Sequence, residues 1–197
     1  MKALIMSQLS ILDVGCGNAK TPGAIGIDSN PGTQADILHD LNVFPWPIEN
    51  DVYDRIVCSH IVEHVADMVK FMEEVHRVGK SGARVEIVTP HFSNRFSFTD
   101  PTHVRHLSVR SFDYFMARRS LKHTFLARAF ETQYAVPDFY VQPLFRLLRS
   151  HLRLARPFRL TGIQWLANRF PDFYELYLAF IMPARDMYID LEVLKSM

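Results

Sequence analysis

The chain has little cysteine: Cys16 and Cys58 are the two thiols in 197 residues. That excludes a disulfide-stapled secreted scaffold and points to a reduced, cytoplasmic protein. Long hydrophobic runs are also missing. The longest candidate, Phe173 to Met182, falls short of the ~18 apolar residues that argue for a membrane span and contains Glu175. No secretory signal is evident, because Met1 to Leu12 carries one lysine and runs on without a small-residue cleavage site. Net charge is +1, so no whole-chain field gathers nucleic acid or acidic lipid. Internal repeats and low-complexity segments are absent.

What is present suits a folded domain with a full core: 48% of residues are hydrophobic and 22% charged. Short apolar runs alternate with crossovers. Strands are expected over Ser10 to Val14, Ala24 to Asp28, Ala35 to Leu38, Tyr53 to Cys58 and Arg84 to Thr89. A helix is expected from about Val65, where Glu63 and His64 help start it, to Val78, with Gly79 to Gly82 as the turn that ends it. Phe44-Pro45-Trp46-Pro47 reads as a rigid non-helical link. Beyond these, Ser108 to Ala117 reads as a helix and Arg128 to Val136 as a strand. Asp186 to Leu194 alternates cleanly and closes the sheet. Alternating strands and crossovers imply an α/β fold with a mostly parallel, Rossmann-like sheet. One domain is expected, with a core over 8–136 and 184–195 and a helical, aromatic insertion over 137–182.

The first strand ends in Gly15-Cys16-Gly17, and Asp28 ends the second, eleven residues after Gly17. Glycines let backbone approach a ligand, and an acid at the next strand end suits ribose hydroxyls. A dinucleotide fingerprint is excluded on two counts. Lys20 stands where its third glycine belongs, and Asp28 comes 15 residues after Asp13, short of the ~20 such folds use. Only six residues separate Gly17 from Ala24. Parallel crossovers usually need a dozen or more, so the first crossover helix must be missing or reduced to one turn. That leaves part of the sheet for another segment to cover, the 137–182 insertion being the candidate.

In order, ILDVGCG, GIDSNP, ADILHDL, YDRIVCSHIVEHV and RVGKSGARVEIVTP resemble the class I S-adenosylmethionine-dependent methyltransferases. PG-x-IGID, PWP and DPTHVRH make the chain similar to their small, methyltransferase type 11-like form. The resemblance covers about Ser10 to Tyr114 and the final strand. It implies S-adenosyl-L-methionine as cofactor and a mostly parallel sheet with an antiparallel last strand. It also implies site roles. Gly15, Cys16 and Gly17 would line the methionine and ribose with backbone. Asp13 would orient the amino end, and Asp28 would take the ribose hydroxyls. Ser29 and Asn30 would flank the adenine, while Asp40 and Leu41 would meet its amine and ring. Ser59 and His60 would border the reacting methyl. The short crossover departs from the usual pattern of the larger family but is shared by this small form.

The acceptor side is expected after the fifth strand, where His91 to His106 is polar. If the acceptor is a hydroxyl, His103 is the first candidate base, followed by His106 and His91; Asp100-Pro101-Thr102-His103 reads equally as a structural turn. Cys16 is expected to be chemically inert. His60-Ile61-Val62-Glu63-His64 matches the H-x-x-E-H pattern of zinc peptidases, so a zinc hydrolase through His60 and His64 is a remote alternative. No metal is expected. Arg146, Arg149, Arg153, Arg156 and Arg159 make Leu144 to Leu160 a basic amphipathic stretch: a solvated helix face, an anion-binding element or a peripheral membrane contact. The expected activity is methyl transfer to an oxygen or nitrogen of a small-molecule, saccharide or lipid acceptor. A strand-4 signature of nucleic-acid base methylation is lacking, and neutral charge disfavours nucleic acid. The alternative from another class is a non-catalytic methyltransferase-like binding module.

Overall fold

The computed structural model describes residues 9–116, 140 and 142–195. Seven strands form one sheet in the order β3-β2-β1-β4-β5-β7-β6. They are β1 (Ile11–Val14), β2 (Ile25–Asp28), β3 (Ile37–Leu38), β4 (Tyr53–Ser59), β5 (Gly79–Pro90), β6 (Phe145–Leu154) and β7 (Ala184–Val193). The first five are parallel, and β7 runs antiparallel to both β5 and β6. Strand order reverses between β1 and β4, which opens a crevice at their carboxyl ends.

The central strands alternate: one face is buried and apolar, and the other carries charged pairs such as Arg55 with Glu86 and Arg84 with Asp190. Leu12, Val14, Ile56 and Cys58 are fully buried. Helix α1 (Met68–Val78) lays Met68, Phe71, Met72, Val75 and Val78 into that core. It starts three residues later than the periodicity suggests. Asp67 is the cap, its Oδ1 accepting from the N–H groups of Val69 and Lys70 at 3.0 Å, so Glu63 and His64 lie outside the helix. Trp46 packs edge-on against Phe71, and its N–H donates to Glu74 Oε2 at 2.8 Å, which pins the Pro45–Pro47 link to α1.

Several expectations change. Gly79 to Gly82 does not separate helix from strand, since β5 begins at Gly79 and residues 80–83 bulge opposite Asp54. Ser108 to Ala117 forms no α-helix over its described residues, which end at 116; only a 3₁₀ turn forms, Asp113–Phe115. Serine chemistry breaks the run, with Ser108 and Ser111 bonding backbone groups within it. Most of the basic stretch 144–160 is not helix either: Phe145–Leu154 is edge strand β6, and only Arg156–Arg159 is helical. Arg146 pairs with Glu192 and Arg153 donates to the Tyr188 hydroxyl, so these arginines clasp β7. The strand expected over Arg128 to Val136 lies outside the described residues.

Helices α2 (Phe96–Thr99), α3 (Arg156–Arg159), α4 (Gly162–Arg169) and α5 (Pro171–Tyr177) complete the described elements. The α3–α5 group sits at the β6 edge rather than over the first crossover. Gln164 Oε1 and Asn168 Oδ1 accept from the N–H groups of Leu154 and Leu152, capping an otherwise open edge. Arg110 holds α5 through a bidentate pair with Asp172 at 2.6 and 2.7 Å. The crossover from β1 to β2 contains no helix and covers itself. A Cβ on Gly26 would lie 2.6 Å from Cys16 Sγ and 2.7 Å from Lys20 Cδ, so the loop lies directly on β2. Lys20 then reaches Asp36 at 2.8 Å, and Asp36 also accepts from the Gly26 N–H.

Candidate active site

At the end of β1 the chain turns through Gly15 (φ +68°) and Gly17 (φ +51°), left-handed conformations that favour glycine. A Cβ on Gly15 would strike Ile61 at 2.6 Å, whereas one on Gly17 would meet nothing within 4 Å. Gly17 therefore faces open space. Its N–H donates to Asp28 Oδ2 at 3.0 Å, and the Asn30 N–H donates to Oδ1 at 2.9 Å. The half-buried Asp28 carboxylate is thus aimed by two amides, with lone pairs to spare for a diol.

Asp13 is 4% exposed and accepts from the Thr21 N–H at 2.7 Å, a bond that holds the short crossover in place. The Cys16 thiol is buried and its pKa is raised, first by desolvation and then by Asp13, in keeping with an inert side chain. Ser29 is exposed beside Asp28, and Asp40 is exposed with Oδ1 accepting from the Asn42 N–H. The Leu41 side chain is committed to the core, 5% exposed, while its carbonyl accepts from Trp46 Nε1. Ser59 is exposed at the end of β4.

His60 follows with φ +54°, an unusual conformation for a residue with a side chain, held by its N–H donating to Val88 O at 2.8 Å. This kink aims the ring into a pocket of about 630 Å³ at the ends of β4 and β5. Glu63, 2% exposed, lies in the pocket wall. Its Oε1 is 3.3 Å from His60 Nδ1, and its Oε2 accepts from the Thr89 hydroxyl at 3.0 Å. The bond to Glu63 raises the His60 pKa against the opposing effect of burial.

The loop after β5 folds back over this turn, with the Val104 N–H donating to Glu63 O at 2.9 Å. It brings His64 and His103 into the pocket wall, rings 4.6 Å apart and edge to face. Of the three expected bases, His103 reaches the pocket. His91 does not: it is fully buried, with Nδ1 on Ser93 and Nε2 on Glu175 Oε1 at 3.0 Å. Nor does His106 line it, being stacked on Phe98 with Nδ1 on the Ser97 hydroxyl. His60, read from the sequence as a cofactor neighbour, lines this pocket. The H-x-x-E-H pattern singled out this region but paired His60 with His64 as if on a helix. In the fold they lie in a turn, and His64 meets His103.

Comparison with known proteins follows the same outline. Residues 12–87 match the family described as a methyltransferase domain. No curated protein sequence matches the chain. A SAM-dependent methyltransferase from Archaeoglobus fulgidus has a TM-score of 0.58 at 16% identity, covering 94% of this chain and 86% of that one. YcgJ from Bacillus subtilis has a TM-score of 0.54 at 15% identity, covering 96% and 93%. The [4+2]-cyclase SpnF has a TM-score of 0.54 at 13% identity, covering 95% and 76%. Such identities speak for the fold. Residues 12–87 thus match the methyltransferase-domain family, and the chain as a whole has the fold of the class I S-adenosylmethionine-dependent methyltransferases.

Proposed function

We propose that the protein transfers a methyl group from S-adenosylmethionine to an oxygen or nitrogen nucleophile of a small-molecule, saccharide or lipid acceptor. One observation carries the reading: a single turn joins cradle and pocket. Ile61 packs against Gly15 in the cradle, and the adjacent His60 lines the pocket. A group bound along Gly15–Gly17 and a second molecule in the pocket would meet at this turn.

The cradle fits the cofactor through open space at Gly17 and the amide-aimed Asp28 carboxylate. When bound, S-adenosylmethionine supplies an electrophilic methyl on a sulfonium. Asp28 holds the ribose diol, and backbone at Gly15 to Gly17 holds the methionine portion. The chain's remaining task is alignment of the acceptor and removal of its proton. His60 stands at the shared rim with buried Glu63 behind it, placed to take that proton, while His103 orients the acceptor. The pocket wall mixes Phe96 and Pro101 with Asp100 and Arg185, which suits an acceptor with apolar and polar parts.

One sheet supports a single-domain reading, and free Cys16 and Cys58 support a cytoplasmic setting. No described helix is long and apolar enough to cross a membrane. Isothermal titration with S-adenosylmethionine and its demethylated product tests the cofactor. Binding that Asp28→Ala abolishes supports the reading, and no binding by wild type overturns it. Because a [4+2]-cyclase shares the fold, labelled-methyl transfer must follow. Cofactor binding without transfer across a broad acceptor panel would favour a non-catalytic module.

A further inference from the structure

We propose that Glu63, His64 and His103 form a binding site for a divalent cation of the zinc type in the wall of the acceptor pocket. One donor atom from each of the three lies within 4.8 Å of the other two. Donors around one zinc ion, at ~2.0–2.2 Å from it, stand about 3.3 Å apart. The three must close by up to ~1.5 Å, a movement that small rotations about the histidine side-chain bonds supply.

The hydrogen bonds behind these residues fix which atoms are available. The Thr102 hydroxyl donates to Asp100 Oδ1 at 2.6 Å, so toward His64 Nδ1, 2.9 Å away, it acts as acceptor. His64 therefore carries its proton on Nδ1 and leaves the Nε2 lone pair bare. His103 Nδ1 faces the carbonyl of Ser97 at 3.1 Å, which can only accept, so His103 is the same tautomer. Metal-binding imidazoles are held in this way, each donating its second ring N–H to an oxygen. Glu63 completes the set as a carboxylate 2% exposed, steadied on one oxygen by Thr89. A buried carboxylate with a hydroxyl and a 3.3 Å imidazole as partners gains a full counter-charge from a cation. Asp100 Oδ2 stands 3.8 Å from His103 Nε2 and adds a second carboxylate at the rim.

Two imidazoles and one carboxylate select a borderline transition metal over magnesium or calcium, and three protein ligands leave a position open. That position faces the pocket, where an acceptor hydroxyl, amine or carboxylate would occupy it. The cation's place beside an acceptor rests on the methyl-transfer reading; its binding does not.

The test uses the full chain, stripped with chelator and titrated with zinc chloride. Bound metal is counted by mass spectrometry, and cobalt(II) in place of zinc gives a visible spectrum. One equivalent of zinc is expected. His64→Ala and His103→Ala should each abolish stoichiometric uptake and the cobalt bands. Thr102→Val should weaken binding about tenfold or more by freeing the His64 ring. His39→Ala, remote from the pocket, should bind as wild type. Glu63→Gln, which keeps shape and the Thr89 contact, serves if an alanine variant fails to fold. Uptake well below one equivalent, or unchanged uptake in the histidine and glutamine variants, overturns the proposal. Cofactor titration on the metal-free chain separates the two conclusions. Zinc bound without cofactor leaves this site standing and removes the methyl-transfer reading, and the converse removes this site alone.

Discussion

The main-chain N–H of Gly17 donates to Asp28 Oδ2 at 3.0 Å, tying the glycine turn of β1 to the acid that ends β2. With the Asn30 N–H on the other oxygen, the carboxylate is preset before any ligand arrives. Hydrogen bonds to a charged group contribute about 1.5–3 kcal/mol each, and 1.4 kcal/mol is tenfold in affinity. With the two diol bonds proposed for Asp28 removed, Asp28→Ala should weaken cofactor binding by about 100-fold or more. Asp28→Asn keeps one acceptor and should lose about tenfold. Calorimetry checks both, and wild-type affinity in Asp28→Ala would detach this residue from the ligand.

The close seating of the helix-free crossover on β2 depends on Gly26. A methyl there would sit 2.6 Å from Cys16 Sγ and 2.7 Å from Lys20 Cδ. Gly26→Ala should cost about 1–3 kcal/mol by overpacking, read from urea denaturation. It should also weaken cofactor binding, because Cys16 must move and Gly17 follows. Cys16→Ala in the same chain removes the 2.6 Å contact but leaves the Cβ at 3.2 Å, so about half the lost stability should return. A Gly26→Ala protein as stable as wild type would show that the loop does not need this close approach.

The cradle was legible in the sequence for a physical reason. Short apolar stretches such as Ile11–Val14 and Ile25–Asp28 mark the strands, and their ends are marked by Gly15, Gly17 and Asp28, whose conformations and bonds are local to the backbone. The edge strand was not legible. Phe145 to Leu154 interleaves leucines with arginines at spacings that serve a helix or a half-exposed strand equally. The strand wins through nonlocal partners, Glu192 and Tyr188 on β7. The pocket at the ends of β4 and β5 was half legible. His60, Glu63, His64 and His103 were each noticed, but their grouping depends on a left-handed kink at His60 and on the loop after β5 folding back so that the Val104 N–H donates to the Glu63 carbonyl. Neither leaves a periodic trace.

Asp54 is a pH-dependent tie between β4, β5 and the start of β1. It sits between Lys80 Nζ at 2.9 Å and the N–H and hydroxyl of Ser10 at 3.0 and 2.7 Å. These contacts, Lys80 first, hold its carboxyl down to about 2. A depressed folded pKa stabilises above the unfolded value, near 3.9, and that stability is lost as pH falls toward about 2. Asp54→Asn should cost about 0.5–1 kcal/mol at neutral pH, as partly exposed ion pairs do. The gap from wild type should stay constant down to about pH 5 and close between about pH 4 and 2. Urea midpoints measured across that window check it, and a gap that widens with acid would reverse the assignment.

His91 tests whether a histidine at the end of β5 works on substrate or on the fold. Its ring is fully buried, accepts from the Ser93 N–H and donates from Nε2 to Glu175. Glu175 also accepts from the Val109 N–H at 2.8 Å, so one carboxylate fastens α5 to the strand end and to the following loop. Removing the ring leaves a cavity and strips Glu175 of a donor. His91→Ala should cost about 2–4 kcal/mol, a fall of roughly 5–15 °C in Tm for a chain of this size. Glu175→Gln keeps the acceptor and should cost less, about 1–2 kcal/mol. Cofactor affinity measured well below the melting transition should stay within about twofold of wild type, because no contact of His91 reaches the cradle. Unchanged melting, or a large loss of cofactor affinity, would return His91 to the site.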